Sequence, residues 1–82
     1  MAENARRDDD FKYEILKHCG VLSTSPKGWT KEFNVVSWNG KNPKYDIRDW
    51  SAEHDHMSRG ITMTHDELEQ LAELISAEIG AA

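Results

Sequence analysis

Two tryptophans, Trp38 and Trp50, stand among the cations Lys41, Lys44, Arg48 and Arg59. Rings on which unpaired bases stack, beside ammonium and guanidinium groups that follow phosphates, are what a single-stranded nucleic-acid site needs. Stacking is worth about 1–3 kcal/mol per base and requires an exposed base face, which a duplex hides. The pattern therefore favours single strands, with little sequence preference. RNA would be served as well as DNA, since only a 2′-hydroxyl contact tells them apart. Without the cations, the same rings would suit a protein-interaction module that receives a peptide or a partner domain.

Other chemistry finds no footing. His54-x-His56 lacks the second close pair of ligands that a metal site requires. His18 cannot serve Cys19 as a base, because adjacent residues of a strand point to opposite faces. Asp46 and Asp49 fall on opposite faces for the same reason. No glycine-rich phosphate loop runs into Lys-Ser or Lys-Thr. The expectation is a protein that is not an enzyme and takes no metal, cofactor or small-molecule substrate.

The elements that must position these residues can be read from alternation and turn signals. Residues 11–25 read as a long strand with a break or bulge at Gly20. Ser25-Pro26-Lys27-Gly28 is a turn, and residues 29–38 alternate as a second strand. Asn39-Gly40 is a strong hairpin signal, which Pro43 lengthens to a loop over residues 39–43. Residues 44–50 form a third strand, with Tyr45, Ile47 and Asp49 on one side and Lys44, Asp46, Arg48 and Trp50 on the other. Residues 51–60 read as a loop and residues 61–63 as a short fourth strand. Thr64 and Glu67 have the spacing of a capping box, so a helix is predicted over residues 65–79, closed by Gly80. Its stripe of Leu68, Leu71, Ala72, Ile75 and Ile79 is widened by Leu74. The fold class is α+β: a four-stranded curved antiparallel sheet followed by one C-terminal helix, β-β-β-β-α.

Eighty-two residues bound this to one small domain with a modest core. A single cysteine excludes an internal disulfide, so the wide helix stripe points to a second subunit and a homodimer. No segment is apolar enough for a membrane span or a secretory leader, which suggests the cytoplasm. The net charge is −5, but acidic residues gather at the ends: residues 64–82 contain no Lys or Arg, and Asp8, Asp9 and Asp10 lie in the leader. Residues 1–10 read as a disordered acidic tail and residues 11–80 as the binding domain. Between the ends the chain is mildly basic, which permits a polyanion. Tyr45 and Ile47, with Ile61 and Met63, suit a face covered by the helix. Lys44, Arg48 and Trp50, joined by Trp38, make the opposite one.

Four segments carry a resemblance: Gly28-Trp29-Thr30-Lys31-Glu32, Val36-Ser37-Trp38-Asn39-Gly40, Lys44-Tyr45-Asp46-Ile47-Arg48-Asp49-Trp50 and Arg59-Gly60-Ile61-Thr62-Met63-Thr64. They resemble the positive-cofactor-four family of transcriptional coactivators, in particular its bacterial YdbC-like branch. The resemblance implies a homodimer of curved sheets that binds single-stranded DNA along concave β-surfaces, in transcription regulation, replication or repair. Trp38 matches the aromatic position before the hairpin glycine, and Lys41 the basic residue after it. Arg48 is similar to the arginine of the Asp-Ile-Arg motif, Trp50 to the tryptophan ending that strand, and Arg59 to the basic residue before the fourth strand. Trp29 and Lys31 of the first segment complete the candidate site. Two positions depart from the eukaryotic pattern. Asn39 replaces a basic residue, and Trp50 lies one residue closer to the arginine.

Overall fold

In the computed structural model, which describes residues 12–80, four strands form one antiparallel sheet in the order β1-β2-β3-β4. They are β1 (Tyr13–Thr24), β2 (Thr30–Trp38), β3 (Lys44–Trp50) and β4 (Met57–Met63), followed by helix α1 (His65–Ile79). The β-β-β-β-α order is the one the sequence predicts. The predicted tail over residues 1–10 lies outside the described residues.

The starts of β2 and β4 and the place of the β1 irregularity differ from the sequence reading, each through backbone pairing that side-chain pattern does not encode. Trp29 belongs to the β1–β2 turn, where its N–H donates to Ser25 Oγ (3.2 Å) and its carbonyl accepts from Ser25 N–H (2.7 Å). β4 begins at Met57, not Ile61, because Met57 pairs with Trp50 across a bulge. Arg59 therefore lies within the strand. In β1 the irregularities fall at Leu16, Cys19 and Leu22 rather than at Gly20. Each bulge adds a residue to the outer strand and sharpens its local bend.

Register assigns the two faces. Phe33 pairs with Ile47, Ile47 with Ile61 and Tyr45 with Met63, so these side chains share one face. Helix α1 lies on this face, enclosing with it a wholly apolar groove of about 230 Å³ lined by Leu22, Phe33, Ile47, Leu68, Leu71 and Ile75. The helix starts in the predicted capping box: Glu67 N–H donates to Thr64 Oγ1 (3.2 Å) and Thr64 N–H to Glu67 Oε1 (2.9 Å). It ends at Gly80 with φ 73°, the left-handed region that glycine occupies without cost.

The other face is where the chain is most completely buried. Glu32, Asn34 and Val36 alternate along β2, and Asp46 and Trp50 along β3; all five are buried. Tyr13 pairs in register with Trp38, and Trp50 with Thr30 at the far end of β2. A flat ladder would hold those two places about 26 Å apart, at roughly 3.3 Å per residue. Yet the Tyr13 and Trp50 rings lie 5.2 Å apart, and the Tyr13 hydroxyl donates to the His54 carbonyl (2.6 Å). The right-handed twist common to all sheets, amplified by the bulges, has folded two diagonally opposed corners onto each other. The face is concave because of that closure.

Gly60 is needed where β4 crosses β3. It pairs with Arg48, and a Cβ there would overlap the Ile47 carbonyl oxygen and the Arg48 Cβ. Gly60→Ala should cost about 1–3 kcal/mol, the usual penalty of overpacking, readable as a lowered urea midpoint. An unchanged midpoint would show that the two strands part freely.

Candidate nucleic-acid interface

Trp38 ends β2 on the concave face. The hairpin after it is tight: Asn39 and Gly40 take φ 54° and 74°, and Lys41 N–H donates to the Trp38 carbonyl (2.9 Å). Asn39 also ties the hairpin to the start of β1. Its N–H donates to the Lys12 carbonyl and its Oδ1 accepts from Lys12 N–H, both at 2.8 Å. Ser37 Oγ donates to the Lys41 carbonyl (2.7 Å). These bonds fix where Lys41 leaves the chain. Lys41 and Lys44 are exposed, and neither ammonium meets a carboxylate among the described residues.

Arg48 has a different position from the one expected of a phosphate ligand. Its Nε and one terminal nitrogen donate to the two Asp46 oxygens, each at 2.7 Å, and the other terminal nitrogen donates to the Ser58 carbonyl (3.3 Å). The guanidinium also lies 4.5 Å from the centroid of the Trp38 ring, a cation–π contact. Asp46 is wholly buried, so Arg48 is the partner that neutralises it. The fork geometry of guanidinium suits this bidentate pairing.

Trp50 requires a plain correction as a stacking platform. It is fully buried beneath Tyr13 and His54, with ring centroids 5.2 and 5.6 Å away. Its position two residues after Arg48 is the reason, since i and i+2 share a face and this face closes on itself. Its indole N–H meets no acceptor among the described residues.

The remaining candidates are dispersed. Lys31 shares the helix face, where Nζ bonds Asp49 Oδ1 at 3.1 Å. Arg59 has the parity of Ile61 and so lies on that face as well. Trp29 sits in the β1–β2 turn, at the opposite end of β2 from Trp38. Trp38, Lys44 and Arg48 thus share one face, with Lys41 in the hairpin next to Trp38.

Sequence reasoning missed the residues that organise the concave face. Glu32 is 3% exposed and accepts from Thr30 Oγ1, from Asn34 Nδ2 (3.1 Å) and from His54 Nε2 (2.9 Å). Burial alone would raise the Glu32 carboxyl. The bonds from Thr30, Asn34 and His54, with the charge of His54, outweigh burial and hold it below the usual carboxylate range. A depressed carboxyl stabilises the fold above the unfolded value of about 4.3. That contribution is lost as pH falls through the lower folded value. The parity of Glu32, Asn34 and Val36 with Trp38 was the available signal. It could not show that the face closes.

The fold is a four-stranded open antiparallel sheet followed by one C-terminal helix, with Trp38, Lys44 and Arg48 on its concave face. Residues 25–74 match the family described as Transcriptional Coactivator p15 (PC4), and the chain belongs to that family. It is also 44% identical over 70 residues to an uncharacterized protein of Treponema pallidum (strain Nichols), spanning 85% of this chain and 82% of that one. Membership fits a nucleic-acid-binding role. Among the described residues, no group of three or more His, Cys, Asp or Glu side chains is placed to hold a metal ion. No helix among them is long and apolar enough to cross a membrane.

Proposed function

We propose that the protein binds single-stranded DNA without catalysing a reaction. A base stacks on the part-exposed Trp38 ring, and Lys41 and Lys44 contact phosphates. The observation that carries this reading is that Trp38 and two exposed lysines, which meet no carboxylate among the described residues, stand at one hairpin in a chain of this family. Arg48 lies over the Trp38 ring and helps to orient it. The likeness to the YdbC-like branch is compatible with this reading.

Fluorescence anisotropy of a labelled oligo(dT), with a duplex of equal length alongside, tests it. Trp38→Ala should weaken single-strand binding by about 1–3 kcal/mol at every salt concentration. Lys41→Ala and Lys44→Ala should each reduce the salt slope by about 0.7. Equal affinity for the duplex would refute stacking as the basis of recognition.

The binding form is a homodimer. Although α1 lies on the sheet, none of its residues is buried, and Leu74, Ile75 and Ile79 are 58%, 47% and 70% exposed. Ile61 and Leu22 of the sheet extend this apolar surface. A chain of this size gains most from covering such a face with a second copy. Light scattering should give twice the chain mass at micromolar concentration, and Leu74→Glu should return it to the monomer. A wild-type monomer at that concentration would overturn the dimer.

A further inference from the structure

Beside the aromatic closure, the concave face holds a cavity of about 290 Å³ lined by Ile15, His18, Glu32 and His54. Its chemistry follows from one buried carboxylate. Glu32 can only accept, so Asn34 must turn its amide N–H₂ toward Glu32 and its oxygen toward His18. His18 Nδ1, 2.8 Å from that oxygen, must then carry a proton. His54 Nε2 lies 2.9 and 3.1 Å from the two Glu32 oxygens and must carry one as well. Both imidazoles thus point an N–H inward. The nitrogens left over, His18 Nε2 and His54 Nδ1, are acceptors while the rings are neutral and donors once they are protonated.

Among the described residues, the groups around these rings leave that proton decisive. His18 is faced by Asn34 and Glu32 of β2, with Glu32 Oε1 at 3.5 Å, and by Ile15 of its own strand. His54 is faced by Glu32, by the Trp50 ring of β3 and by the Tyr13 hydroxyl on its carbonyl. Its loop neighbour Asp55 is bonded to Ser51 Oγ (2.8 Å) and lies 3.9 Å from His56. Arg48 pairs with Glu32 in register, but its charge is committed to Asp46. With both rings neutral the cluster therefore carries the single negative charge of Glu32 and repels a phosphate. With both protonated it carries one positive charge, and each of these cavity-lining rings gains a second N–H. The His18 and His54 side chains are 53% and 39% exposed, so the rings can be reached from solvent.

We infer that His18 and His54, held by the buried Glu32, form a proton-switched phosphate subsite that engages a phosphodiester of the bound single strand when the rings are protonated. This rests on the single-strand reading above and adds to it a second contact point. Histidine is the side chain type that changes charge between pH 5 and 8 and lysine is not, so a pH effect on binding separates this subsite from the lysine contacts.

The test is anisotropy of labelled oligo(dT), whose base does not titrate in this range, at pH 5.5 and 7.5 over 50–300 mM salt. Wild type should show a salt slope steeper by about 1.4 at pH 5.5, two cations at roughly 0.7 each. In His18→Gln/His54→Asn the slopes at the two pH values should coincide; asparagine suits the positive φ of residue 54. Glu32→Gln, which removes the negative charge but keeps the shape, should raise affinity at pH 7.5. Circular dichroism at both pH values checks that each variant is folded. The same steepening in the folded double variant would assign the effect to His56 or His65 and overturn the subsite. Binding at pH 7.5 with no pH effect in wild type would overturn it too, leaving the Trp38 site standing. Absence of oligo(dT) binding at both pH values would remove the single-strand reading and the subsite with it.

Discussion

Arg48→Ala is expected to destabilise the domain by about 3–5 kcal/mol, the cost of leaving a buried charge without its partner. Asp46 is 0% exposed and receives two bonds of 2.7 Å from the guanidinium. Truncation leaves that carboxylate in the closed concave face with neither water nor a counter-ion. Small domains hold about 5–15 kcal/mol in all, so the loss would appear as a large drop in the urea midpoint. Arg48→Lys should recover only part of it, because a point charge cannot make the bidentate contact. Asp46→Leu/Arg48→Met should recover most of it, since apolar replacement of a buried pair is often neutral. If instead Arg48→Ala keeps wild-type stability and lowers only the salt slope of DNA binding, the arginine is a phosphate ligand and Asp46 is solvated in solution.

That contrast shows where the sequence was informative. The order of the elements, the Asn39-Gly40 hairpin and the Thr64–Glu67 capping box depend on local chemistry, and they were legible. So was the apolar face beneath the helix, because Tyr45 and Ile47 alternate with polar residues. Alternation also placed Asp46, Arg48 and Trp50 on one face. It could not say that the sheet coils until Tyr13 meets Trp50, which turns an apparent outer surface into an interior. Coiling depends on bulges, and those at Leu16, Cys19 and Leu22 leave no trace in residue type. The β4 boundary was missed for a related reason: Met57 joins the ladder only through a bulge opposite Trp50. Lys31 was set beside Trp38 on family pattern and Arg59 on its place before the fourth strand, and neither carries information about face.

The two tryptophans should therefore separate by experiment. Trp50→Ala removes a fully buried indole and should cost about 3–5 kcal/mol of stability. The cavity would lie between Tyr13 and His54, so the corner closure that shapes the concave face would loosen with it. Any loss of DNA binding in that variant is then a consequence of unfolding. Trp50→Phe separates the effects. It keeps an aromatic ring against Tyr13 and removes the indole N–H, which meets no acceptor among the described residues. That variant should fold and bind oligo(dT) to within about twofold of wild type, well under the 1.4 kcal/mol that a tenfold change represents. Trp38→Ala should do the reverse, losing affinity at every salt while keeping most of its stability, because its ring is only part-buried. A folded Trp50→Phe that loses as much affinity as Trp38→Ala would mean that the concave face opens on binding and gives Trp50 to the DNA.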